Sequence, residues 1–124
     1  MMDEINELLL NDSIIKEKVS NRIKFYEYPD ASALQGASVV IDPLDVPKPS
    51  NYRSNKPTSE EYLYQIEVWS KSKVDRDLIA KRIQDILIDQ FDAGQSGGID
   101  EWNQDYDVFR DARRYKITKE ILGG

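Results

Sequence analysis

Along Glu60 to Lys71 the chain alternates residue by residue. Tyr62, Tyr64, Ile66 and Val68 share one face of an extended segment, while Leu63, Gln65, Glu67, Trp69 and Lys71 share the other. The first set is β-branched or aromatic throughout and suits a pleated surface packed on a core. The pattern predicts a central strand of an antiparallel sheet with one wetter face. Directly after it, Val74, Leu78, Ile79, Ile83, Ile86, Leu87 and Phe91 recur at helical spacing. Arg76, Asp77, Lys81, Arg82, Asp85 and Asp89 occupy the opposite side, with Asp77 and Lys81 placed for an i, i+4 pair. Ser72-Lys73-Val74-Asp75 reads as a variant capping box, and Gly94 as the residue that ends the helix.

Upstream, Ile5, Leu8 and Leu9 predict a helix that Asn11-Asp12-Ser13 interrupts, and Asp12 should cap a second helix through Val19. Arg22 to Tyr28 and Ser38 to Ile41 read as strands. From Leu44 to Ser59 the periodicity vanishes. Pro47, Pro49 and Pro57 lie here with Pro43 at the entrance, four of the chain's five prolines. Lys48, Arg53 and Lys56 against Asp45 give the stretch a net charge of +2, three cations less one acid. A connection this long is either a surface loop or an arm, an extended hairpin that docks on a neighbour. Pro47, Lys48, Pro49, Tyr52 and Arg53 are the candidate arm contacts, Tyr and Arg being enriched at interface hot spots.

Downstream, Gly97-Gly98 should break the chain before a strand from Ile99 to Tyr106, a turn at Asp105-Tyr106-Asp107, and a long strand from Phe109 to Ile121. The side of that strand carrying Arg110, Ala112, Arg114, Lys116 and Thr118 should face water or a partner, which adds Arg110, Arg114 and Lys116 to the candidate interface. Leu122-Gly123-Gly124 reads as a frayed end. The expected fold is α+β: a single domain over residues 1–124, with an antiparallel or mixed sheet of about four to five strands packed on one face by a long helix and an N-terminal helix.

Composition narrows the chemistry. The 124 residues include no cysteine and no histidine, which removes disulfides, thiolate metal sites, cysteine nucleophiles and the commonest general base near neutral pH. No apolar run approaches the roughly 20 residues that span a bilayer, and no charged-then-apolar leader opens the chain, so a cytoplasmic, non-membrane protein is expected. A net charge of −6 disfavours nucleic-acid binding by phosphate neutralisation but suits the wall of a passage through which DNA slides. Asp100, Glu101, Asp105, Asp107 and Asp111 lack the spacing of a calcium loop and read as solvated hairpin charge. Gly-Gln-Ser-Gly-Gly at 94–98 lacks the lysine ending of a phosphate loop and reads as a turn. Arg110, Arg113, Arg114 and Lys116 should pair with acids of a neighbouring strand or subunit. No catalytic residue, cofactor or metal site is expected. The competing class is a small carboxylate-based enzyme or ligand-binding domain of α+β fold, which needs a deep cleft with convergent acids.

Asn21-Arg22-Ile23-Lys24-Phe25-Tyr26, Ile66-Glu67-Val68-Trp69-Ser70-Lys71-Ser72 and Asp111-Ala112-Arg113-Arg114-Tyr115-Lys116-Ile117, taken in the order of elements above, resemble the tail-terminator or tail-completion proteins of long-tailed bacteriophages. The resemblance spans Ile5 to Ile121. It implies a non-catalytic neck protein of a phage or prophage that self-associates into a ring, commonly a hexamer, on the growing tail. Its implied partners are the major tail-tube protein and the head-completion or connector protein, with DNA passing through unbound. Its implied location is the virion, and the host cytoplasm during assembly.

Overall fold

The computed structural model describes residues 1–121, so the expected frayed end at Leu122-Gly123-Gly124 lies outside the described residues. Two N-terminal helices, α1 (Met2–Leu10) and α2 (Ser13–Val19), lead into strands β1 (Ile23–Phe25), β2 (Ser38–Pro43), β3 (Lys48–Arg53) and β4 (Lys56–Ser70). Helix α3 (Lys73–Phe91) and the hairpin of β5 (Gly94–Asn103) and β6 (Val108–Glu120) follow. The sheet runs β1-β2-β4-β6-β5, and β3 pairs with the first part of β4. Only β1 on β2 is parallel. All three helices contribute to one core against one face of this sheet, an α+β fold.

Alternation in β4 does what its pattern predicts. Tyr64, Ile66 and Val68 are buried and meet Ile41 and Val39 on β2 and Tyr115 on β6 across the ladder. Ile5, Leu9, Ile15 and Val19 pack over them from α1 and α2. The Asp12 carboxylate accepts from the Ile15 amide at 3.1 Å, as a cap should. It also takes the Arg82 guanidinium of α3, whose hydrogen bond holds the Asp12 carboxyl below its ordinary value despite partial desolvation. Ser72 caps α3 through the Asp75 amide at 3.2 Å.

Six strands are present among the described residues, above the expected four to five, because Lys48–Arg53 is a strand and pairs with Lys56–Ser59, which extends β4 toward the N-terminus. Neither side of that ribbon meets a core, so nothing selects for an apolar alternation that would have revealed it. At the other edge β1 is only three residues long, ending where Tyr26 takes a positive φ of 66°.

Helix α3 packs Ile79, Ile83, Ile86, Leu87 and Phe91 of the expected stripe on the core, but its first turns differ. Arg76, Ile79, Ala80, Ile83 and Leu87 face the sheet, whereas Val74 is 76% exposed and Leu78 also lies at the surface. At 100° per residue Val74 and Leu78 fall on the side of α3 away from Ile79, Ile83 and Leu87, and Arg76, on the inward side, is drawn in by carboxylates. The ion pairs are Lys73–Asp77 at 2.7 Å and Lys81–Asp85 at 2.8 Å, in place of Asp77 with Lys81. Asp92, with φ 51°, ends the helix in the left-handed conformation assigned above to Gly94, which opens β5 instead. The Gly97-Gly98 pair is likewise a bulge within β5 and not a break. Gly97 has φ +103°, and a Cβ on Gly98 would sit 2.4 Å from the Ala112 carbonyl oxygen, so strand contact itself demands glycine there.

One core group is out of balance. The Tyr115 hydroxyl is buried without a hydrogen-bond partner, and burial pushes its pKa up to about 12. The nearby Arg113 is committed to Asp111 at 3.0 Å and Gln84 at 3.1 Å. Tyr115→Phe removes a desolvated hydroxyl and no partner, so urea unfolding should show stability unchanged or raised by about 1 kcal/mol. A loss above about 1 kcal/mol would mean the hydroxyl is satisfied in solution.

Candidate functional site

The helices leave one sheet face uncovered, and register decides what stands on it. Val40, Glu67, Ala112 and Ile99 form one row across β2, β4, β6 and β5. Ala112, expected to face water, is 1% exposed, and Glu67 is fully buried. Glu67 is enclosed by donors: Arg110 Nε at 2.5 Å, Gln65 Nε2 at 2.7 Å and Trp69 Nε1 at 3.0 Å. Burial pushes the Glu67 carboxyl up, and these donors outweigh it, leaving its pKa below the ordinary value. Arg110 also lies over the Trp69 ring at 5.8 Å, and Tyr28 packs against that ring while donating to Asp42 at 2.7 Å. The result is a connected aromatic and ionic plate on the open face.

Of the basic residues on β6, alternation sends Arg113 to the helix side. Arg110, Arg114 and Lys116 share the open face. They are not equivalent. The Arg110 side chain is 20% exposed and held by Glu67, whereas Arg114 and Lys116 are exposed, the first 3.4 Å from Gln65 and the second 3.3 Å from Glu61.

The stretch from Lys48 to Arg53 is one strand of an extended hairpin, the arm. β3 and the start of β4 form a hairpin whose two-residue turn, Ser54-Asn55, has φ of 52° and 64°. Both positive angles match the type I′ turn whose twist suits paired strands, achieved here without glycine. Lys48 and Tyr52 lie opposite Glu61 and Pro57 and so share the open face with Arg114 and Lys116, while Pro49 and Arg53 point to the other side and Pro47 lies in the connection. Tyr52 is 65% exposed. Lys48 pairs with Asp45 at 2.8 Å, whereas Arg53 has neither a hydrogen bond nor an ion pair among the described residues.

The sequence pattern placed Glu67 and Trp69 on the wetter face but did not reveal that they and Arg110 form one buried cluster. The available signal was Gln65-Glu67-Trp69, an acid flanked at alternate positions by two donors.

Among the described residues no group of three or more acidic side chains could hold a metal ion. The acids between Asp100 and Asp111 are distributed over separate partners: Asp100 to Arg76, Asp111 to Arg113 and Asp107 to the Trp102 indole. Every carboxylate with a displaced pKa among the described residues (Glu4, Asp12, Asp30, Asp45, Glu67 and Asp77) is displaced downward. A carboxyl serving as general acid near neutral pH needs the opposite. No helix among the described residues is long and apolar enough to cross a membrane.

No protein-family model matches the chain, and no curated protein sequence matches it. A solved structure does: a chain from the virion of a native gene transfer agent particle superposes with a TM-score of 0.66, covering 94% of this chain and 92% of that one. Identity over the match is 12%, so the likeness is one of fold.

Proposed function

We propose that this protein is a structural component of a phage-like virion, acting at the neck as a tail-terminator ring that closes the tail tube and joins it to the head connector. The observation that carries the proposal is an exposed basic hairpin on an acidic body whose fold recurs, at nearly full length, in a gene transfer agent virion. A rigid domain with one projecting arm is suited to heterologous contacts, in which each copy grips the next. Pro47, Lys48, Pro49, Tyr52 and Arg53 on the arm, with Arg110, Arg114 and Lys116 on the open face, form the proposed contacts. Arg110 acts through the plate it builds with Glu67 and Trp69. The proposed partners are further copies in a hexameric ring, the major tail-tube protein and the head-completion protein. DNA passes along an acidic wall without specific binding, and assembly takes place in the host cytoplasm. The carboxylate-enzyme alternative draws no support from the carboxyls whose pKa is displaced, Glu4, Asp12, Asp30, Asp45, Glu67 and Asp77, since all six move downward.

Light scattering on the purified protein, alone and with its tail-tube partner, tests the ring. Discrete oligomers are expected, and Tyr52→Ala with Arg53→Ala should weaken their association at least about tenfold while the circular dichroism spectrum is unchanged. A strict monomer under both conditions would overturn the proposal.

A further inference from the structure

At the root of the arm, where the chain passes from β2 to β3, the surface forms a groove of about 660 Å³ beside the start of α1. Its walls are apolar and open: Leu44 is 41%, Tyr26 62% and Val46 73% exposed, with Tyr62 behind them. Asp3 and Asp45 stand on its rim. Asp45 is engaged by its own Lys48, and the Met1 ammonium lies 4.0 Å from Glu4, but Asp3 has no hydrogen bond or ion pair among the described residues. The arm tip has the complementary chemistry. Tyr52 is exposed there, and neither Arg53 nor Lys56 has an acceptor among the described residues.

A chain cannot satisfy its own groove. The six residues of β3 place the tip roughly 20 Å along the ladder with β4 from the root, too far for the tip to fold back into its own groove. We propose that the arm tip of one copy docks in the root groove of the next, placing Tyr52 against Leu44, Val46 and Tyr26 and setting Arg53 against Asp3. The contact deepens the ring proposal and rests on it. It gives each copy one tip and one groove, the requirement for a head-to-tail closed ring. Burying an aromatic side chain among apolar ones supplies the attraction, and the cation–carboxylate pair sets the register.

Charge reversal separates this contact from self-assembly in general. Sedimentation equilibrium should show that Asp3→Lys and Arg53→Glu each weaken wild-type association at least about tenfold. Mixing the two variants should restore it, because every tip then meets a groove of opposite charge. If wild type associates and either variant matches it, or the mixture fails to recover, the groove is not the docking site, although the ring proposal stands. If wild type stays monomeric at every concentration and with the tail-tube protein, both proposals fall.

Discussion

Glu67→Ala is expected to lower the unfolding free energy by about 3 kcal/mol, the range for breaking a buried ion pair by removing one partner. The carboxylate is fully buried on the sheet face that no helix covers, and it answers Arg110, Gln65 and Trp69 together. Without it Arg110, only 20% exposed, keeps a weak alternative in Glu101 at 3.8 Å, which places the loss at the lower end of that range. Replacing both partners, Glu67→Leu with Arg110→Leu, should recover much of the loss, because no charge is then stranded. The sign of the pH effect follows from the direction of the shift. The folded carboxyl titrates below its unfolded value of about 4.3, so its contribution is complete above that pH and is lost as pH falls through the folded pKa. The stability gap between wild type and Glu67→Ala should therefore be constant near neutrality and shrink in acid. Urea denaturation followed by tryptophan fluorescence measures both. A loss below about 1 kcal/mol would show that water reaches the pair.

Arg76→Ala ranks second, with an expected loss of about 2–3 kcal/mol concentrated in one strand. The guanidinium, buried on α3, reaches Asp100 on β5 at 2.5 Å, Asp77 at 2.6 Å and the Arg110 carbonyl at 3.3 Å, and lies 5.8 Å from the Phe109 ring. Strand β5 is an exposed edge held by its ladder with β6 and, near its start, by the Gln84–Gln95 hydrogen bond at 2.7 Å, so this fork ties its later residues to the body. Hydrogen exchange should quicken across Gly98 to Asn103 and change little in β4. Arg76→Lys should not rescue protection, since a single ammonium cannot bridge two carboxylates and a carbonyl in that planar geometry. Unchanged exchange in β5 would mean that the ladder alone holds the edge.

Among the elements legible from residues alone, the plainest are those whose burial faces one way. β4 announces itself because Tyr64, Ile66 and Val68 must all enter one core, and α1 and α2 because Asn11-Asp12-Ser13 divides an apolar stripe and supplies a cap. Residues with no core to face are silent. The arm read as an aperiodic proline-rich stretch with hairpin as one alternative, since Lys48 to Lys56 meets solvent on both sides and its turn uses Ser-Asn where Asn-Gly is the usual signal. For the site, the identity and exposure of Tyr52 and Arg53 could be anticipated from composition, but the groove at the arm's root could not, because Asp3, Tyr26 and Val46 are distant in sequence and meet only after the sheet forms.

By itself the sequence determined the fold class, the central strand, the N-terminal caps at Asp12 and Ser72, and the absence of any histidine or cysteine chemistry. These depend on local periodicity and residue type. Only the tertiary structure decided that Glu67 is buried on the open face, that Arg76 turns inward while Val74 turns out, and that Gly97-Gly98 bulges within a strand. Each is settled by what lies opposite after folding: a charge enters where a counter-charge from another element waits, and an apolar side chain stays outside where the docked helix turns it away from the sheet.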